Sequence, residues 1–229
     1  MVDLKIHWIV DRLTKLVICL LFLDVACLCS FTISCRSFVP TLSYTSTFSV
    51  HDGLFVLIAG IQAIVVFLTV FSFRVTKETK YSIDDNLYST ALEIGIIVLL
   101  FCVSIVDESN GLEFADSAKF HKFFTINLCY FTFLWVFWAL LKLRDIKKTL
   151  DQEFNLLVCW ASLATLSILV LICSAQWAFA VSIYSNWFLN TYMEGIFEWL
   201  AILVAVRLPY HLTKVCDCDI KIVKAEIPS

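Results

Sequence analysis

The sequence predicts an all-α polytopic membrane protein, a bundle of six transmembrane helices joined by short loops. Three observations predict it. Six apolar runs fill most of the chain, each about the 20 residues a helix needs to cross a ~30 Å hydrocarbon core while satisfying its own backbone. The composition is 60% hydrophobic with a mean hydropathy of +0.86, twenty phenylalanines, five glycines and three prolines, which is outside the range of a soluble domain. Basic residues alternate from one inter-run segment to the next. Spans of this length leave no room for a separate soluble domain, so residues 1–229 are read as one transmembrane domain. The net charge of −3 and pI near 5.8 argue against nucleic acid as a partner, since no basic run is dense enough to form a groove for it.

Taken in order, the first span is Leu16–Ser34, interrupted near mid-depth by Asp24 and preceded by a basic arm with Trp8 at the interface. The arm is long and no small-x-small site follows, so the span is expected to be retained rather than cleaved as a secretory signal. The second span, Gly53–Phe73, carries Ala59 and Ala63 at the small-x-x-x-small spacing that lets helix backbones approach. Tyr88–Val106 is the third span, with Glu93 about two turns inside one end. Phe123–Leu141 and Phe154–Ser174 follow. The sixth, Met193–Leu212, holds Glu198, a second small pair in Ala201 and Ala205, then Arg207 and Pro209, the last of which is expected to kink or end the helix.

Orientation follows from the basic residues. Lys5, Arg12 and Lys15 precede the first span. Arg74, Lys77 and Lys80 follow the second; Lys142, Arg144, Lys147 and Lys148 follow the fourth; Lys214, Lys221 and Lys224 follow the sixth. The opposite side has only Arg36, Lys119 and Lys122. A bias of thirteen to three places both termini in the cytosol. No N-x-S/T sequon occurs.

Ionisable side chains inside spans cost roughly 2.5–3.5 kcal/mol at a helix centre, so each needs a reason to be there. Asp24, Glu93 and Arg207 are assigned to bundle structure, with partners expected on other helices. Glu194 and Glu198 are four apart and share a helix face near the lumenal boundary. Glu198 is therefore a candidate hydrogen-bond donor or acid–base group, or else a tie to a polar neighbour such as Asn127 or Gln62. The most polar lumenal segment, Asp107–Lys122, contains His121, a weak catalytic candidate because no nucleophile is fixed beside it by spacing. Of the ten cysteines, most sit in spans and pack as small hydrophobes. Cys216 and Cys218, just past the last span, are candidates for palmitoylation or plain thiols. No metal site and no cofactor are expected.

Several segments together resemble the post-GPI-attachment-to-proteins factor 2 family, one branch of a superfamily of six-span membrane proteins that also contains the damage-regulated autophagy modulators. The residues that carry the resemblance are Ser-Cys-Arg-Ser-Phe-Val-Pro-Thr-Leu-Ser (Ser34–Ser43), Glu93 in Leu-Glu-Ile, and Val-Ser-Ile-Val-Asp-Glu-Ser (Val103–Ser109) with His121 after it. Ile-Phe-Glu-Trp-Leu-Ala-Ile-Leu (Ile196–Leu203) and Tyr-His-Leu-Thr (Tyr210–Thr213) complete it. The chain departs from that family at Ser185 and Asn186, where members often have a lumenal cysteine that a disulfide to Cys35 would need.

The resemblance implies a part in fatty-acid remodelling of GPI anchors and in transport of GPI-anchored proteins, in the Golgi or endoplasmic reticulum. It implies an accessory to acyl transfer more than the acyltransferase itself. Membrane lipids, including the GPI lipid, are the implied partners, with a membrane-protein partner also open. The lipid-head candidates on the lumenal leaflet are Glu194, Glu198, His121, Ser43 and Tyr44, together with Thr45, Ser46 and Thr47. The alternative is a non-enzymatic regulator or scaffold of lysosome or plasma membrane, like the autophagy-modulator branch, working through its basic cytosolic segments. A solute transporter ranks third, since spans so poor in glycine and proline do not break around a central site.

The orientation has a direct check. An epitope tag at either terminus is expected to be reached by antibody in cells whose plasma membrane alone is opened, and a tag between 106 and 122 only after internal membranes are opened as well.

Overall fold

A computed structural model describes residues 2–31, 49–80, 87–105, 115–146, 151–182, 187–216 and 219–222. Six helices account for nearly all of them: α1 (Ile6–Phe31), α2 (Ser49–Lys80), α3 (Leu87–Ile105), α4 (Ala115–Ile146), α5 (Gln152–Ser182) and α6 (Trp187–Cys216). Two short strands flank them, β1 (Val2–Lys5) and β2 (Asp219–Ile222), paired antiparallel with Val2 opposite Ile222 and Lys5 opposite Asp219. The all-α membrane architecture is thus observed, with a two-stranded clasp added.

Five helices are long and apolar enough to cross a membrane, over Val56–Thr76, Leu87–Ile105, Phe123–Asp145, Gln152–Val170 and Glu198–Cys216. α1 falls outside that set, and it carries Asp11, Arg12, Lys15 and Asp24. Its position nevertheless makes it part of the bundle. Phe22 stacks on Trp199 at 5.6 Å, while Asp11 pairs with Arg207, so α1 runs antiparallel along α6. Ile6 and Val10 cluster with Val65, and Val17 and Leu21 with Ile58, so α1 is antiparallel to α2 as well. The β1–β2 clasp brings the start of α1 and the end of α6 to the same end of the bundle, as an even number of crossings requires.

The buried stripe of α1 explains that placement. Ile6, Val10, Thr14, Val17, Leu21 and Asp24 are each no more than 3% exposed, at the three-and-four spacing that aligns side chains on one helix face. α6 is different: it contacts α1, α2 and α5 and buries residues nearly all round, from Ala201 to Cys216. The largest core cluster joins Phe73 of α2, Leu92 and Ile96 of α3, Trp135, Ala139 and Leu143 of α4, Leu157 of α5 and Leu208 and Leu212 of α6. Phe73 meets Trp135 and Trp138 edge-on at 5.8 and 5.3 Å, a geometry that aromatic quadrupoles favour. Lipid is as apolar as these side chains, so their contribution is close packing rather than escape from water.

Boundaries differ from the sequence reading in a consistent direction. The helices run 26 to 32 residues except for α3, and 32 residues make a helix ~48 Å long, beyond the ~30 Å core. α1 begins ten residues before its predicted span, and Arg74 and Lys77 lie within α2 rather than in a loop. Pro209 does not end α6, which continues to Cys216. Proline removes one backbone donor, and here burial of Leu208, Leu212 and Val215 on both sides holds the helix through the gap. α5 starts where Asp151 accepts the Phe154 backbone N–H at 2.8 Å, an N-cap that satisfies one otherwise orphaned donor. Buried hydroxyls turn inward: Thr69 donates to the Val65 carbonyl, Ser167 to Leu163 and Thr213 to Pro209.

Two glycines separate close packing from open space. A Cβ on Gly95 would meet Cε1 of Phe131 at 2.5 Å, whereas one on Gly60 meets nothing within 4 Å. Gly95→Ala is expected to destabilise the bundle by about 1–3 kcal/mol through forced displacement of the ring. Gly60→Ala should be neutral or slightly stabilising. Thermal unfolding of the purified protein in detergent distinguishes the two.

Candidate functional site

The polar chemistry among the described residues gathers at the end of the bundle that holds the β1–β2 clasp, where it ties all six helices. Glu93 of α3 is 6% exposed. Its Oε2 accepts hydrogen bonds from Nε (3.1 Å) and Nη2 of Arg74 on α2, and its Oε1 accepts from the Trp135 indole of α4 at 3.0 Å. Arg74 also donates to Thr90 Oγ1 at 3.0 Å. Three donors on two neighbouring helices compensate the carboxylate, which is what a buried charge requires.

A second node joins α1 to α6. Arg207 Nη1 donates to Asp11 Oδ1 at 2.8 Å and to Thr14 Oγ1 at 3.2 Å, and its guanidinium lies 4.4 Å from the Tyr210 ring centroid. The other Asp11 oxygen takes Lys15 at 2.6 Å. Burial works against ionisation of Asp11, but hydrogen bonds from Lys15 and Arg207 and the charge of both outweigh it, holding the carboxyl below its ordinary value. Further ties are Lys214 of α6 to Glu153 of α5 at 2.8 Å, and Thr76 of α2 donating to the Cys216 carbonyl at 3.1 Å. His211, 8% exposed, stacks on Trp160 of α5 at 4.9 Å between centroids and meets Tyr210 edge-on.

The residues singled out in the sequence separate into three groups. Glu93 and Arg207 have cross-helix partners, as just described, and Asp24 is fully buried in the α1 stripe. Glu198 and Glu194 both lie on α6 and His121 on α4. Ser43 and Tyr44, with Thr45–Thr47, Cys35 and Cys218, lie outside the described residues. α6 begins at Trp187, three turns before Glu198, and its stretch long and apolar enough to cross a membrane starts at Glu198. The Phe22–Trp199 stack sets Asp24 and Glu198 within a helical turn of each other in depth. Asn127 spends its amide on the Phe123 carbonyl of its own helix at 2.7 Å.

Cys216 is 3% exposed, so its thiol is shielded from a palmitoyl donor in this conformation; the extension of α6 beyond the predicted span accounts for the difference. Among the described residues no three His, Cys, Asp or Glu side chains cluster as a metal ion would need.

Sequence reasoning missed Asp11, Arg74, Trp135 and the Lys214–Glu153 pair. Arg74 and Lys214 count in the sequence toward topology alone, and nothing in it singles out Asp11, Glu153 or Trp135.

Glu93→Ala is expected to cost on the order of 2–3 kcal/mol, less than a fully buried pair because Arg74 is 27% exposed and can reach water. Glu93→Gln, which keeps the Trp135 bond, should lose less; denaturation midpoints in detergent rank them. The folded-state value of Asp11 lies below its unfolded one, so its stabilising contribution is complete above pH ~4–5 and is lost as pH falls further. Thermal stability lost by Arg207→Met should accordingly be constant from about pH 5 to 8 and shrink in acid.

No protein-family model, curated protein or solved structure matches the chain.

Proposed function

We propose that this chain is a lipid-handling membrane protein that takes part in fatty-acid remodelling of GPI anchors, accessory to the acyl-transfer step, in the Golgi or endoplasmic reticulum. The observation that carries the reading is the setting of Glu198. It is a half-buried carboxyl on α6, and Ile196 and Leu200, two positions to either side and so on the opposite face of the helix, are 44% and 43% exposed. A carboxyl on a helix whose other face is apolar and exposed suits a molecule with a polar glycerol-phosphate region and fatty tails. The segments Ser34–Ser43 and Ile196–Leu203 that resemble the GPI-remodelling family support it as well. In this reading Glu198, with Glu194, His121, Ser43 and Tyr44 toward the lumen, meets the lipid, and the Glu93 and Arg207 nodes hold the helices that present them.

A second reading, a non-enzymatic regulator, is favoured by the β1–β2 clasp, which builds a structured surface at the cytosolic end. Removing residues 217–229 separates the two, because a lumenal role survives that loss and a cytosolic one does not.

In cells lacking the chain, Glu198→Gln is expected to restore neither the fatty-acid profile of GPI lipids, read by mass spectrometry, nor surface delivery of GPI-anchored proteins, read by flow cytometry, although the variant reaches its membrane. A normal lipid profile with Glu198→Gln would remove Glu198 from the reaction.

A further inference from the structure

The outward face of α1 combines aromatic, basic and apolar side chains along one line. Trp8, Arg12 and Lys15 stand on it at i, i+4 and i+7, all exposed, with Trp8 63% exposed. An open cavity of about 310 Å³ is lined by Trp8, Asp11 and Arg12. Arg12 makes no hydrogen bond or ion pair among the described residues. Asp11 is held by Arg207 from α6 and by Lys15 along the outer face of α1, so one carboxylate stands among three cations and two positive charges remain for an outside anion. Below this head, the same face continues as Leu16, Phe22 and Leu23, which are 45%, 54% and 55% exposed. Arg12 to Leu23 is eleven residues, or ~16 Å of helix, close to the ~15 Å depth of one leaflet's hydrocarbon.

We infer that this face is a binding site for one anionic phospholipid of the cytosolic leaflet, its phosphate at Arg12 and Lys15 beside Trp8 and an acyl chain along Leu16, Phe22 and Leu23. A tryptophan at the headgroup level with a basic residue one turn deeper is the arrangement in which an indole anchors and a cation reaches up to phosphate. The charge excess selects anionic over zwitterionic lipid. The length of the apolar strip selects a lipid over free phosphate or a soluble anion. The site is on the leaflet opposite the one proposed for GPI lipid and stands without that proposal.

The test uses the full chain in nanodiscs of phosphatidylcholine with a minor share of phosphatidylserine, released and weighed by native mass spectrometry. The wild type is expected to retain phosphatidylserine in preference to phosphatidylcholine. Arg12→Gln should retain about fivefold less, the loss one basic residue near an anionic surface makes. Trp8→Ala should weaken retention in the same direction. Both residues are exposed and Arg12 is unpartnered, so unchanged thermal unfolding in phosphatidylcholine is expected to certify the fold. Lys142→Gln, a charge at the same end of the bundle on α4, should leave retention intact. Equal retention by Arg12→Gln and wild type overturns the site. So does an equal loss with Lys142→Gln, which would mean diffuse attraction, or full displacement of the lipid by inorganic phosphate, which would mean the acyl strip contributes nothing.

Discussion

The bundle depends on ion pairs that tie one helix to the next at the end where β1 and β2 pair. Glu93 is the deepest of them, and a carboxylate so buried is tolerable only because Arg74 and Trp135 converge on its two oxygens from different helices. That requirement fixes how α2, α3 and α4 are rotated about their axes, since an apolar surface in lipid would permit many near-equivalent rotations. Arg207 does the same for α1 and α6 through Asp11 and Thr14, and Lys214 for α6 and α5 through Glu153. The pairs differ in kind. Lys214 and Glu153 are more than a third exposed on average, so their pair sets position more than it adds stability, whereas the Glu93 node is buried and losing either partner strands a charge.

Packing takes over toward the middle of the membrane. Gly95 lets α3 approach the Phe131 ring, Phe22 stacks on Trp199, and the Phe73, Trp135 and Trp138 rings lock edge to face. Contacts of this sort are individually weak and add up by number and fit. They adjust to a neighbour more readily than a charged hydrogen-bonded node does.

Much of this fold is legible in the sequence, and the part that is not has a physical cause. Span-length apolar runs report the cost of exposing backbone to lipid, which is local and therefore readable. The expected orientation rests on a count of basic residues, which is local as well. Which charge pairs with which is not, since Arg74 and Glu93 are 19 residues apart and Asp11 and Arg207 are 196 apart. Hydropathy marks Glu93 and Arg207 as needing partners and is silent on who supplies them. The same limit explains Cys216. A hydropathy boundary at Leu212 sets it beyond the membrane, whereas packing against α2 carries α6 four residues further and buries it. Of the candidate site, the acidic residues of α6 are legible in the sequence, and Glu198 stands at the start of the span-length stretch Glu198–Cys216.

α1 shows how one short segment serves two surfaces. Its inner stripe of Ile6, Val10, Thr14, Val17 and Leu21 is closed against α2 and α6, and Asp11 at the border draws Arg207 inward. Adjacent positions stand about 100° apart around a helix, so Asp11 is directed to Arg207 and Lys15 while Arg12 projects outward. The internal ion pair therefore does more than join two helices: by occupying both Asp11 oxygens, Arg207 and Lys15 leave Arg12 as the uncompensated charge beside Trp8.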